Sequence, residues 1–404
     1  MGSVFNDDFH DEFGMRPLGY MPYGGAEFGE IEAIARAVGD GDDNAFHEAW
    51  VAAGDRHVDD AQAALEAGHA TSARELFLRA SSLYGSSLHP IYGAPVDRRL
   101  AAAFRKQIAA FDRGLALCDP PVEPLRIPFE GTTLPGYFSP AAGHESDVRP
   151  LVVFTNGYDA TVTDMYFASA VAASRRSYHS LIYDGPGQGE MLIEHGMRLR
   201  PDWETVIAAV VDFAETLPAV DQDRIAVSGW SLGGHLAPRA ASGDHRLAAC
   251  IADPGLWSVA ATARGFAAGM GATQEATADF RLLDQAVLDR IWKAVCENRR
   301  LRWTIVQRGF WVNGVDTLRD YLCDIERYTM DGRAEAIRCP TLLVAGSDDP
   351  LAATAGTFFE ALTCRKDLIR LTAADGAGDH CEMKNRTMLN RRVFDWLDDV
   401  FAVA

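Results

Sequence analysis

The run Val227-Ser-Gly-Trp-Ser-Leu-Gly-Gly234 holds the side chain best placed for covalent chemistry, Ser231. The apolar stretch Arg224–Ser228 before it reads as a short buried strand, and His235–Ser242 after it reads as a helix. Between them stands Gly229-x-Ser231-x-Gly233, the pattern of a nucleophile elbow. A serine at so tight a strand-to-helix turn takes a strained backbone conformation, and only small flanking residues fit. The turn lifts the hydroxyl out of the sheet and aims the Leu232 amide at the point where an oxyanion develops.

A serine hydroxyl is a weak nucleophile until a base takes its proton, and the base needs a third group to orient it. On a scaffold of this kind the chain order is Ser, then Asp or Glu, then His. Of eleven histidines only His380 lies beyond His245. It stands in the loop Asp375-Gly-Ala-Gly-Asp-His380, between the expected last strand and last helix, where the base belongs. The acid should follow the preceding strand. Thr341-Leu-Leu-Val-Ala-Gly-Ser-Asp-Asp349 ends in two carboxylates. Asp349 is the expected partner of His380, with Asp348 in reserve.

A second oxyanion donor is expected from Asn156-Gly-Tyr-Asp159, where the Asn-Gly pair lets the chain turn and the Tyr158 amide face the charge. Asp159, Trp230, Asp253 and Trp257 are candidates for the substrate pocket. The loop Asp184-Gly-Pro-Gly-Gln-Gly189 has the glycines of a phosphate loop but neither its Lys-Ser/Thr nor the Gly-x-Gly-x-x-Gly spacing of a dinucleotide site.

These residues need a frame. From Pro150 onward, strands expected at 151–155, 178–183, 224–228, 247–252, 341–345 and 368–372 alternate with helices, which argues for a parallel doubly wound sheet. A hairpin over 125–138, turning at Glu130-Gly131, precedes them. Residues 254–336 interrupt the alternation with helical spacing and no clear strand. Inserted after a strand's C-terminal end, they lie over the edge where open sheets bind ligands, and read as a lid. Upstream, an irregular aromatic arm over 1–28 leads to helices at about 29–38, 43–67, 70–86 and 95–117. The expected division is 1–120, arm and helical domain; 121–253, first part of the core; 254–336, lid; 337–404, second part of the core.

Hydrophobic residues make up 48% and charged residues 24% of the 404, as in a soluble globular protein. A net charge of −19 argues against nucleic acid and anionic membranes as partners. Seven scattered cysteines without a Cys-x-x-Cys argue against a disulfide framework or a metal centre. No apolar run reaches the ~20 residues of a membrane span. Met-Gly-Ser-Val-Phe-Asn-Asp-Asp lacks the basic and apolar parts of a secretory leader, so a cytoplasmic location is expected.

Five motifs in order resemble the α/β-hydrolases: Asn156-Gly-Tyr-Asp159, Asp184-Gly-Pro-Gly-Gln-Gly189, Gly229-Trp-Ser-Leu-Gly-Gly234, Gly346-Ser-Asp-Asp-Pro350 and Gly378-Asp-His-Cys381. With the helical segment around Ala73–Ala80, they are similar to the branch that includes 2,6-dihydroxypseudooxynicotine hydrolase, fungal polyketide-shortening hydrolases and fermentation-respiration switch esterases. The resemblance implies an α/β-hydrolase fold, a serine hydrolase without cofactor or metal, and often a homodimer. Some members of the branch cleave a carbon–carbon bond in a β-diketone-like substrate, one of them with an additional pocket carboxylate; by position Asp159, Glu190 and Asp253 are the candidates here. The expected substrate is a bulky small molecule, aromatic or polyketide-like, with Trp257, Trp292, Trp303 and Trp311 of the lid as candidate walls. Two alternatives stand beside hydrolysis: a cyclase or acyltransferase using the same triad, and an inactive binding protein on this fold.

Overall fold

Short runs of Leu, Val, Ile and Ala bury both of their faces and become the central strands. A computed structural model, describing residues 2–402, arranges β1 (Pro124–Phe129), β2 (Thr132–Ser139), β3 (Arg149–Thr155), β4 (His179–Tyr183), β5 (Val220–Trp230), β6 (Ala249–Asp253), β7 (Thr341–Gly346) and β8 (Lys366–Leu371) in one sheet. The order is β1-β2-β4-β3-β5-β6-β7-β8. Strands β3 to β8 pair in parallel, while the β1–β2 hairpin adds antiparallel to β4. The strand order reverses around β3, so the C-terminal ends of β3 and β5 open the crevice in which such sheets place ligands.

The arm is more regular than its sequence suggests. It contains α1 (Asp8–Gly14) and a 3-10 stretch, Arg16–Tyr23. Asp7 caps α1 through the His10 amide at 2.9 Å, and Asp11 accepts from the amides of Ser3, Val4 and Phe5. A single capped turn or two leaves no periodicity to read. Helices α2 (Phe28–Val38), α3 (Asp43–Glu66), α4 (Ala70–Ser86) and α5 (Arg98–Ala116) follow, the last capped by Asp97. Their interior is not separate from that of the sheet. Phe5, Phe46, Trp50, Leu100 and Phe104 share one apolar cluster with Ile127, Leu151 and Val227.

Helices α6 (Trp203–Ala214) and α7 (Gly233–Ala241) pack on that same face. The inserted segment folds around a core of its own, Phe280, Leu288, Ile291 and Leu322, from α8 (Ala261–Gly269), α9 (Gln285–Glu297), α10 (Leu318–Ile325) and the π-helical Trp303–Phe310. The far face of the sheet is covered by the helical run 162–174 and α11 (Arg386–Phe401). Among the described residues no helix is long and apolar enough to cross a membrane.

Candidate active site

Strand β5 delivers Ser231 into a left-handed conformation, φ 57°, which costs an L-residue roughly 1–2 kcal/mol. The turn closes so tightly that a Cβ on Gly229 would stand 2.0 Å from the Gly233 carbonyl oxygen, and one on Gly233 2.4 Å from the Thr155 oxygen. Glycine at both positions is therefore a steric requirement. The Ser231 amide donates to the Asp253 carbonyl at 2.6 Å, tying the elbow to the end of β6.

The loop after β8 brings His380 to this turn. Its Nε2 lies 2.9 Å from Ser231 Oγ, and its Nδ1 lies 2.7 Å from Asp349 Oδ2. With the Nδ1 proton donated to the carboxylate, Nε2 is free to accept the serine proton. The Asp349 side chain is only 2% exposed, and its Oδ1 accepts the Leu351 amide at 2.9 Å. Asp348 is exposed and accepts from Ser347 Oγ, out of hydrogen-bonding contact with the imidazole. His380 itself keeps 40% of its side chain open, so solvent reaches the imidazole.

The loop after β3 lies across the elbow. A Cβ on Gly157 would fall 2.8 Å from Ser231 Cβ and 3.3 Å from its Oγ. Gln188, from the Asp184–Gly189 loop, donates to the carbonyls of Asn156 at 2.8 Å and Gly157 at 3.1 Å. In a trans peptide the carbonyl and the next N–H point opposite ways. Holding the Gly157 oxygen on the Gln188 side therefore turns the Tyr158 N–H to the other side. Neither that amide nor the Leu232 amide donates to a protein acceptor among the described residues. The Tyr158 hydroxyl donates to Asn313 Oδ1 of the lid.

The four pocket candidates separate. Trp230 and Asp253 turn to the far face of the sheet, where with Arg386, Ser169 and Leu389 they line a small cavity under α11. Trp257 is half-buried, edge-on to Phe358, and its amide donates to Thr354. Asp159 stays beside the oxyanion loop and is bound by Arg16 and Arg308. Of the other lid tryptophans, Trp303 and Trp311 pack on the helical segment, against Phe13 and Tyr92, while Trp292 is 41% exposed and stacks on Phe310. Glu190 pairs with Arg126 and His195 at the surface, away from the elbow.

Behind His380 the structure brings together Cys381, Glu382 and Arg386, of which the sequence motifs include only Cys381. Cys381 and Glu382 both adopt positive φ, 55° and 48°. Burial, and then the neighbouring Asp253 carboxylate, push the Glu382 carboxyl far above its usual range, so it keeps its proton. Arg386 Nη1 binds the Cys381 carbonyl at 2.7 Å and Asp253 Oδ2 at 3.4 Å. Together these groups clamp the base loop to the end of β6. Cys381 Sγ comes within 3.5 Å of His380 Nε2, but burial raises its thiol and keeps it protonated. Only adjacency to His380 signalled this cluster in the sequence. Among the described residues no group of His, Cys, Asp and Glu is arranged to hold a metal ion.

An open doubly wound sheet with a hydrogen-bonded Ser-His-Asp line at its strand ends is the architecture of a hydrolase class, and comparison with known proteins identifies it. Residues 152–386 match the model of the alpha/beta hydrolase family. The hydrolase acrC of Aspergillus aculeatus is 33% identical, with 98% of this chain and 97% of that protein covered. The 20-hydroxy-prefusarin hydrolase FUS2 of Gibberella moniliformis is 32% identical, with 100% and 99% covered. Among solved structures, 2,6-dihydroxy-pseudo-oxynicotine hydrolase superimposes with a TM-score of 0.73 at 22% identity over 95% of each chain. The chain belongs to the alpha/beta hydrolase family and is a hydrolase.

Proposed function

We propose that the protein is a serine hydrolase acting on a bulky small molecule through an acyl-enzyme on Ser231. The observation that carries this reading is the unbroken line from Ser231 Oγ through both nitrogens of His380 to the buried Asp349 carboxylate. In the first half-reaction Ser231 Oγ attacks the substrate carbonyl carbon as its proton passes to His380 Nε2. The oxyanion is received by the amides of Tyr158 and Leu232. Asp349 holds the imidazolium through Nδ1–H. Collapse expels the leaving group, which takes the proton from Nε2. A water then repeats the attack with His380 as base, releasing the acid and free Ser231.

The same steps serve an ester, an amide or the carbon–carbon bond of a β-dicarbonyl, whose leaving carbanion is stabilised as an enolate. Solvent access to His380 favours water as the second nucleophile over an internal one, and so favours hydrolysis over cyclisation or acyl transfer. The relationship to a hydrolase of 20-hydroxy-prefusarin supports a bulky, polyketide-like substrate.

Labelling with a fluorophosphonate tests the nucleophile. Wild-type protein is expected to take one label, on the peptide carrying Ser231, and Ser231→Ala none. Unlabelled wild type, or equal labelling of Ser231→Ala, removes the proposal. Mass analysis of products separates the reaction types: hydrolysis adds one water across substrate and products.

A further inference from the structure

Two arginines from distant parts of the chain meet over one carboxylate beside the elbow. Arg16, in the arm, donates to Asp159 Oδ1 at 3.5 Å, and Arg308, in the lid, donates to Asp159 Oδ2 at 3.1 Å. Burial alone raises the Asp159 carboxyl, but Arg16 and Arg308 outweigh it and hold the group well below the usual carboxylate range, so it is ionised. The third member, His89, stands 3.3 Å from Arg16 Nη1. Burial, with the Arg16 charge beside it, pushes this imidazole down to about 4, so it is neutral and accepts from the guanidinium.

Within ion-pair distance two cations thus share one carboxylate, and the carboxylates of Glu12 and Asp164 act on Arg16 from farther off. Arg308 Nε is buried and has no acceptor. An idle buried N–H costs stability, which an acceptor on a ligand would recover. The guanidiniums are also held in fixed planes. Arg16 lies 4.7 Å over Phe13, and Arg308 lies 4.5 Å over Tyr158 and 4.9 Å over Trp303. Their side chains remain 28% and 18% exposed, so a ligand can reach them.

The position is as informative as the charge. The arm lies against the base loop: a Cβ on Gly19 would stand 2.5 Å from the Met383 carbonyl oxygen. Asp159 follows Tyr158 and is two residues from Gly157, which touches Ser231. The arm thus touches the loop that carries His380 through Gly19 and the loop that carries Tyr158 and Asp159 through Arg16.

We propose that Arg16 and Arg308 form a subsite for an anion shared over two oxygens, either a carboxylate or the enolate of a 1,3-dicarbonyl, carried by the substrate next to its scissile bond. A guanidinium edge matches two such oxygens with paired N–H donors, and a ligand anion gives the two cations a second partner beside the Asp159 carboxylate they share. The inference rests on the serine-hydrolase reading for what happens at the neighbouring carbonyl; binding itself does not need Ser231.

Calorimetric titration of the full chain carrying Ser231→Ala tests it with three probes: 4-phenylbutyrate, its neutral isostere 4-phenylbutyramide, and 1-phenylbutane-1,3-dione below and above its ionisation. The acid is expected to bind at least about tenfold tighter than the amide, as one charge-assisted contact allows. Preference for the acid identifies a carboxylate; tightening of the dione only when ionised identifies an enolate; either supports the subsite. Arg308→Met, or Arg16→Met if the first does not fold, is expected to erase the difference, and Arg308→Lys to keep part of it. Equal affinity for acid and amide with no gain on ionising the dione, no binding of either anion, or a difference that survives Arg308→Met overturns the proposal. Fluorophosphonate labelling of wild-type Ser231 reports separately on the hydrolase reading.

Discussion

The Gln188 side-chain amide holds the Gly157 carbonyl at 3.1 Å while holding that of Asn156 at 2.8 Å, and so fixes the peptide whose N–H belongs to Tyr158. Gln188 is itself set by accepting the Gly185 amide at 3.0 Å, within the glycine-rich turn. The loop that resembles a phosphate cradle is a brace for the peptide that presents the Tyr158 amide. Gln188→Ala is expected to lower kcat by about tenfold or more with little change in KM, because the donor matters most when charge develops. Steady-state kinetics on an activated ester checks this; a higher KM at unchanged kcat assigns Gln188 to binding instead.

The two aspartates after β7 differ in environment. Asp349 is buried against His380, while Asp348 is exposed and accepts from Ser347. Asp349→Asn is expected to reduce kcat by about 10⁴-fold, since the amide favours the wrong tautomer of the imidazole. Asp348→Asn is expected to stay within about twofold of wild type. Parallel assays of the two variants decide the assignment, and the reverse ranking would remove Asp349 from the mechanism.

Strain at Ser231 gives a prediction about stability. Alanine in its place keeps the positive φ and its cost, whereas glycine accepts φ 57° freely. Both variants lose the nucleophile. Ser231→Gly is expected to be more stable than Ser231→Ala by about 1 kcal/mol, measured by denaturant unfolding. Equal stabilities would mean that the turn relaxes when the hydroxyl is lost.

Glu382 ties stability to pH. Its carboxyl is raised by burial, then by Asp253, against the opposing charge of Arg386; His380, Asp349 and Cys381 complete its surroundings. A raised value means the folded chain holds a proton that the unfolded chain releases. The stabilisation is complete below the ordinary glutamate value of 4.5 and is lost progressively as pH rises above it. Glu382→Gln, which keeps a neutral donor, is expected to flatten that slope, so that its Tm gains on wild type between pH 5 and 9. Glu382→Ala removes the same slope but leaves a void, so its deficit against wild type is expected to be about 2–3 kcal/mol at pH 5 and to shrink as pH rises. Parallel melting curves for Glu382→Gln and wild type would contradict a protonated Glu382.

The sheet, the elbow and the His380 loop were legible because each imposes a local pattern: apolar runs for buried strands, small residues where the chain nearly touches itself, and a fixed order of chemistry along the fold. The helices at 28–116 were legible for the same reason, through long amphipathic periods. What was hidden depends on contacts between segments far apart in sequence. Nothing around Arg16 or Arg308 announces that both reach Asp159, and nothing around Gln188 announces the carbonyls it holds. Trp230 is a pocket candidate as the sequence neighbour of Ser231, and Asp253 as the residue that ends the next strand. In a strand successive side chains point to opposite faces, and theirs point beneath the sheet, under α11.

Ser231, Asp349, His380 and the amides of Tyr158 and Leu232 all sit at strand ends or on loops braced to the sheet, whereas Arg16 and Arg308 arrive on the arm and the inserted segment. If the proposed roles hold, bond-making and ligand choice are carried by modules that can change at different rates. A lineage can exchange the segment 254–336 and acquire a new appetite without relearning how to attack a carbonyl. For the engineer, chimaeras joined at Asp253 and Thr341 are the natural way to move this catalyst between substrates.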